Sequence, residues 1–437
     1  MTNTSISFPA HGLRALLAAL STCVLVSIAA LLPTQPAQAD DAITSQDYFS
    51  YYHLDSARQK GYTGKGIKIA MIDGAVDTSA PELAGANIID KSPCRTDSTP
   101  QAETRATAVA SVLVSRAYGV APDATLMTYQ ALLSHEVMGS DCVDEDGRMM
   151  YDIPALIHQA INDGAQIITL SFTKMVAQQE DKDAERNFND TAWTSILKDD
   201  NYKWAFAHAI DKGVIVVASM GSEAKDQSQT SFAAFSGVVG VSSITVEGKF
   251  AEFSSTGSGV VTTAVGSGIN IRDYVTRSVV KADGTAFATG IAAGGIALAI
   301  EKWPNATANQ MLQSLVRNGL NPDHKWNKFT GFGAANLGGM IHDDPSKYPD
   351  ENPLADKTRL GDSNGDGNGG SFTFSASGSV PTVSQVAWYR DGLESPLGMK
   401  DNPQYVYRGL DDLYMKNEST SHAVHLGTSP RFHKKKN

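Results

Sequence analysis

Gly66-Ile67-Lys68-Ile69-Ala70-Met71-Ile72-Asp73 is an apolar run that ends abruptly on an acid. Such a run, without apolar/polar alternation, reads as a strand covered on both faces rather than one half-exposed to water. Downstream the same kind of segment recurs between helical ones. Thr107 to Ser115 is small and apolar, as a buried helix would be, and Leu126 to Ala131 reads as the next strand. Ile153 to Asp163 carries helix spacing and Gly164 stops it, so Ala165 to Phe172 becomes a strand. Trp204 to Lys212 is helical, Gly213 ends it, and Val214 to Ala218 is a β-branched strand. Further on, Ile291 to Ile300 is a helix of small apolar residues that belongs in the centre of a fold, ended by Trp303-Pro304. The rhythm from about residue 60 to 345 predicts an α/β fold: a parallel β-sheet sandwiched by helices.

The whole chain has 437 residues, 42% hydrophobic and 19% charged, enough apolar material for a sizeable core. Its 36 basic and 47 acidic residues leave a net charge of −11, which argues against nucleic acid as a partner. Residues 1–39 read as an export signal. Arg14 precedes an apolar run from Ala15 to Leu32, and Ala37-Gln38-Ala39 offers small residues for cleavage. A membrane association would follow only if that segment stayed uncleaved. Of three cysteines, Cys94 and Cys142 remain after cleavage; both lie in polar, loop-like sequence, and an exported chain predicts a disulfide between them.

Residues 40–345 are read as the α/β domain and 346–437 as a Gly-rich linker with a C-terminal tail of uncertain fold, a short appendage. Asp362 to Asn368 starts like an EF-hand loop, but Thr373 stands where a bidentate glutamate is needed, so a polar linker is preferred. The loop Ser134 to Asp152 is rich in acids and is read as solvated. No metal ligand and no cofactor are assigned, with a structural calcium left open and unplaced.

Several blocks in this frame resemble the subtilisin-like serine proteases, the subtilases. Thr63-Gly64-Lys65-Gly66 followed by the strand to Asp73 looks like the family's approach to its triad aspartate. Arg105-Ala106-Thr107-Ala108-Val109-Ala110-Ser111 stands where the family has His-Gly-Thr-His-Val-Ala-Ser, followed by a Gly119-Val120-Ala121-Pro122 element. Val216 to Ser222 resembles a strand ending in Gly-Asn, and Gly284-Thr285-Ala286-Phe287-Ala288 resembles Gly-Thr-Ser-Met-Ala. Gly331-Phe332-Gly333 looks like the closing Gly-x-Gly turn. The blocks span roughly residues 45 to 340.

The resemblance implies the fold but not the chemistry. Serine proteolysis needs a hydroxyl nucleophile, an imidazole base, an orienting carboxylate and oxyanion donors. Carried over by position, the acid is Asp73, the base position is Arg105, the nucleophile position is Ala286 and the oxyanion position is Ser222. An arginine stays protonated and cannot serve as base; alanine has no hydroxyl. Arg105 and Asp73 are instead expected to pair. Ser111, Ser171, Ser219 and Ser222 are hydroxyls near the site. His158 and His208 read as partly covered surface histidines, while His53 falls in the N-terminal segment and His135 in a polar loop. No histidine has a motif-like spacing from a serine, so no relocated triad is assigned.

The expectation is an exported, catalytically inactive serine-endopeptidase homologue that binds a peptide or protein segment in the former substrate cleft, along Leu170-Ser171-Phe172-Thr173. The alternatives are a serine-type endopeptidase with non-standard catalytic residues and a structural component of a cell-envelope secretion complex. The last rests on a likeness to secretion-associated subtilases of Gram-positive actinobacteria. The expected location is extracellular or on the envelope surface of a Gram-positive-type bacterium, with the oligomeric state open.

Overall fold

The run that opens the sequence reading forms β1 (Lys68–Asp73), buried from its second residue onward. In a computed structural model, residues 42–94, 96–131, 137–138, 153–172, 200–228, 231–322, 325–355 and 357 are described. The expected signal, Cys142, His135, Thr173, most of the acidic loop, the EF-hand-like stretch and the tail beyond 357 lie outside them.

Around β1 the described residues form a seven-stranded sheet whose named pairings are all parallel. Its members are β2 (Ile88–Asp90), β4 (Thr125–Gln130), β6 (Ile167–Leu170), β7 (Ile215–Ser219), β8 (Val239–Ile244) and β9 (Val260–Val265). The order across the sheet is β2-β4-β1-β6-β7-β8-β9. Two short antiparallel pairs stand outside it: β3 (Thr96–Asp97) with β5 (Val137–Met138), and the hairpin of β10 (Ile269–Asp273) with β11 (Ser278–Ala282). The parallel, helix-flanked α/β architecture expected from the apolar runs is the one observed.

Each face of the sheet carries its own core because successive side chains on a strand point opposite ways. Ile69, Met71, Ile167, Ile215 and Val217 face one layer, built on α3 (Pro100–Val114) and α6 (Thr285–Lys302). Ala70, Ile72, Ile168, Leu170, Val216 and Ala218 face the other, built on α4 (Ile153–Asn162) and α5 (Asp200–Asp211). α6 is buried from Thr285 through Ile300, and its small residues let neighbours come close. A Cβ on Gly294 would lie 2.6 Å from the Val120 side chain, and one on Gly295 would lie 2.6 Å from Leu337. Either substitution would push the central helix off its partners.

Two short helices, α1 (Asp47–Tyr51) and α2 (Leu54–Gln59), precede the sheet, and α7 (Ala308–Arg317) and α8 (Leu337–His342) follow α6. Packing continues past the boundary that composition suggested at 345. Asp350 accepts hydrogen bonds from Thr307 (2.6 Å) and Asn309 (3.0 Å), the Leu354 carbonyl accepts from Gly237 (2.7 Å), and Leu354 is fully buried. The Gly-rich composition begins only at Gly361, and these contacts depend on partners far away in sequence. No helix among the described residues is long and apolar enough to cross a membrane.

Candidate active site

Strand order and strand parity together create the site. From β1 the chain continues outward to β2 and β4, whereas from β6 it runs the other way to β7, β8 and β9. Beyond the C-terminal ends of β1 and β6 the connections therefore part, leaving the crevice where open α/β sheets bind ligands. Asp73 ends β1, and by alternation it shares the face of Ile69 and Met71, toward α3. Ser171 follows β6 and Ser219 ends β7 with the same parity.

Asp73 is fully buried. Its Oδ1 accepts from the Gly74 amide (2.7 Å) and from Arg105 Nε (3.0 Å) and Nη2 (2.6 Å). Its Oδ2 accepts from the Ser171 hydroxyl. A carboxylate removed from water keeps its charge only when donors and a cation replace the lost solvent, and these groups supply both. Arg105 is delivered by α3, whose start is set by Thr99 accepting from Ala102 and by Pro100 in the first turn. Its side chain is 30% exposed, so the ion pair forms the floor of the crevice with one side open.

The hairpin is pinned beside this pair. Tyr274, after β10, donates its amide to Thr104 (2.9 Å) and its hydroxyl to Asp77 (2.7 Å). Burial raises the Tyr274 phenol, and the Asp77 carboxylate it faces raises it further. Burial alone would raise Asp77 too, but the Ser79 and Tyr274 hydroxyls outweigh it and hold Asp77 below its ordinary value.

Two strands from β1 is about 10 Å, given roughly 4.8 Å per strand; there β7 meets the N-terminus of α6. Gly284 at the helix N-cap has no side chain to cap it, and Ser222 does so from across the crevice, its Oγ accepting the Thr285 amide (3.1 Å). The Thr285 hydroxyl lies 2.6 Å from Ser219 Oγ and 3.2 Å from Ser222 Oγ. Ala286 comes next, with a methyl group and 8% exposure. Asp73, Arg105 and Ser171 thus form one cluster, and Ser222 and Thr285 beside Ala286 form a second. Sequence reasoning did not single out Thr285; its one signal was a hydroxyl immediately after Gly284 at a helix start.

Other candidates are placed elsewhere. The Ser111 hydroxyl donates to the Ala108 carbonyl of its own helix (2.8 Å). His158 and His208, expected at the surface, are both fully buried, with Nδ1 atoms 2.9 Å apart between α4 and α5 and the Trp204 ring 3.8 Å from that of His158. Each helix alone looks half-exposed, and only their mutual packing covers both rings. His53 and His342 line a cavity near the C-terminal end of α6. Cys94 is buried. Among the described residues no group of three or more His, Cys, Asp or Glu is arranged to hold a metal.

The Subtilase family profile matches residues 64–333, which contain every residue of both clusters. The chain belongs to the subtilase family. Across 271 residues it is 26% identical to a thermostable alkaline protease of Halalkalibacterium halodurans, covering 61% of this chain and 65% of that protein. It is also 26% identical to subtilisin E of Bacillus subtilis over 271 residues, covering 58% of this chain and 61% of the other. The chain therefore spans under two thirds of the length of these relatives. Among solved structures, this subtilase superposes on the PatG macrocyclase in complex with peptide with a TM-score of 0.52 and 17% identity. That match covers 69% of this chain and 98% of the other and reflects the shared fold.

Proposed function

We propose that this subtilase is a pseudoprotease, a protein that keeps the family's cleft and binds an extended peptide or protein segment across it without cleaving it. The observation that carries this reading is the ion pair of Asp73 and Arg105. Proteolysis requires the carboxylate to orient a neutral imidazole that takes a proton from the nucleophile. Here the carboxylate is spent on a guanidinium that stays charged, and on the Ser171 hydroxyl. Ala286 offers no nucleophilic oxygen. The Ser222 oxygen accepts the Thr285 amide and lies 3.2 Å from the Thr285 hydroxyl, so the side chain at the oxyanion position is tied to the start of α6. A peptide laid as an added strand along Leu170-Ser171-Phe172-Thr173 would gain main-chain hydrogen bonds.

Location outside the cytoplasm belongs to the same proposal, supported by the signal-like residues 1–39 and by the name of one relative, the minor extracellular protease Vpr of Bacillus subtilis. The names of the relatives, proteases throughout, favour the second reading, a serine endopeptidase with unusual residues. Incubating the purified full chain with casein and with a fluorophosphonate probe separates the two. The pseudoprotease reading expects neither cleavage nor labelling above a buffer blank, and either signal would overturn it. Arg105→His, Ser222→Asn and Ala286→Ser together are expected to restore slow labelling, with Ala286→Ser alone remaining unlabelled.

A further inference from the structure

At the far end of α6 from Ala286, about 25 Å away at 1.5 Å rise per residue, lies a cavity of about 490 Å³. It is half-open and lined by residues of α1, α2, the C-terminal end of α6 and α8. Its walls are aromatic and aliphatic: Tyr51, Tyr62 and Trp303 face it together with Leu298, Leu337 and Ile341. The charged and titratable side chains lining it besides the tyrosines are Lys60, Lys302, His53 and His342, with neither Asp nor Glu among the lining residues. In a chain whose net charge is −11, this is a local inversion of sign. Two acids flanking the lining residues are committed elsewhere, and a third, Asp55, is exposed. Glu301 accepts from the Thr63 and Gly64 amides, both at 2.7 Å, and Asp343 is held by Lys347 and Tyr348.

The walls are also held in place before any ligand arrives. Lys302 Nζ sits over the rings of Tyr62 (5.0 Å) and Trp303 (5.1 Å), which orients the ammonium while leaving its charge without an acid in this wall. The Trp303 indole donates to the Met340 carbonyl (3.1 Å), fixing that ring. Tyr51 stacks edge-on against Tyr52, whose hydroxyl accepts from the Val265 amide (3.0 Å). Between α1 and α2, His53 adopts the left-handed conformation (φ 51°), a strained state for a non-glycine residue. A preformed cavity of this size with apolar walls and a few convergent polar groups is what small-ligand sites look like.

We propose that this cavity is a second ligand site, which takes a small carboxylate with an apolar or aromatic body, either a free acid or the C-terminal residue of a peptide. Two ammonium groups supply point charges for the carboxylate, and the rings and leucines cover the body. Among the described residues no arginine lines the cavity to grip a phosphate bidentately, which favours a carboxylate over a phosphorylated ligand. The site is separate from the cleft and does not depend on whether the cleft hydrolyses.

Isothermal titration of the full chain tests this with N-acetylphenylalanine, N-acetylphenylalaninamide and the tripeptide Ala-Ala-Phe. The acid is expected to bind and the amide, differing only in charge, to bind at least tenfold more weakly. Lys60→Gln, a change at an exposed side chain that spares the fold, should weaken the acid at least threefold, and Lys60→Gln with Lys302→Gln at least tenfold. Tighter binding of the tripeptide than of the acid would assign the site to a peptide C-terminus; equal or weaker binding would assign it to a free acid. Absence of binding, equal binding of acid and amide, or affinity unchanged in the double variant would each overturn the proposal.

Discussion

Arg105 reaches from the second turn of α3 to place Nε and Nη2 at 3.0 and 2.6 Å from a single oxygen of Asp73, a carboxylate with no exposure to solvent. Removing the guanidinium leaves a buried charge supported, among the described residues, only by the Gly74 amide and the Ser171 hydroxyl. Arg105→Ala is therefore expected to cost about 3 kcal/mol, the low end for a broken buried pair because Arg105 itself is partly exposed. Urea unfolding followed by circular dichroism checks it. Asp73→Asn in the Arg105→Ala background should recover part of the loss, since the unpaired charge is then gone.

A lysine buried without a carboxylate among its hydrogen-bond partners makes stability depend on alkaline pH. Lys357 Nζ donates to the Ala233 (2.6 Å) and Gly259 (3.0 Å) carbonyls, and burial pushes its ammonium down to about 7. The unfolded chain holds that proton up to an ordinary lysine value near 10.4. Between those two values the unfolded state binds more protons, so stability rises with pH, by up to about 1.4 kcal/mol per unit. Urea midpoints from pH 7 to pH 10 should climb in the wild type and stay nearly level in Lys357→Met.

On the acid side the buried histidine pair sets the slope. Burial, aided by the neighbouring His208, holds His158 well below its ordinary value. In the unfolded chain it would take a proton below about pH 6.5. Its stabilising contribution is thus complete above that pH and is lost as pH falls, at up to about 1.4 kcal/mol per unit. Asp77, Glu82 and Asp123, held below their ordinary values, protonate below the window from pH 6.5 to 5, and Glu103, raised by burial and by Asp77, acts alike in wild type and variant. His158→Gln should flatten the dependence of the urea midpoint within that window, and an unchanged slope would remove His158 from this role.

β3 pairs with β5, Thr96 opposite Met138, two residues after Cys94 and four before Cys142 in the sequence. A disulfide between these cysteines is expected when the protein is made in an oxidising compartment. Peptide mapping without reductant should recover the two cysteines in one linked fragment. Closing a loop of about fifty residues is worth roughly 3–4 kcal/mol in the chain-entropy account, so reduction should lower the thermal midpoint by several degrees.

Much of the scaffold was legible because its signals are local. β1, β4, β6 and β7 announced themselves as apolar runs and lie within a few residues of their expected bounds, whereas α6, read as a small-residue helix from Ile291, begins six residues earlier at Thr285. The identities of the groups at Asp73, Arg105, Ser222 and Ala286 were likewise readable from matched blocks. Their engagements were less so. That Ser222 is used as an external helix cap, that Ser171 closes on Asp73 and that two helices hide a histidine pair have no mark in the neighbouring residues.

The amino-acid sequence by itself determined the sheet-and-helix rhythm and the subtilase frame, because strand and helix periodicities are written over two to four residues. Tertiary structure alone decided which polar groups meet. His158 finds His208 across 50 positions, Ser222 reaches Thr285 across 63, Ser171 reaches Asp73 across 98 and Lys357 reaches Ala233 across 124. Burial forces each such group to find a partner, and the fold selects that partner from parts of the chain that local sequence does not connect.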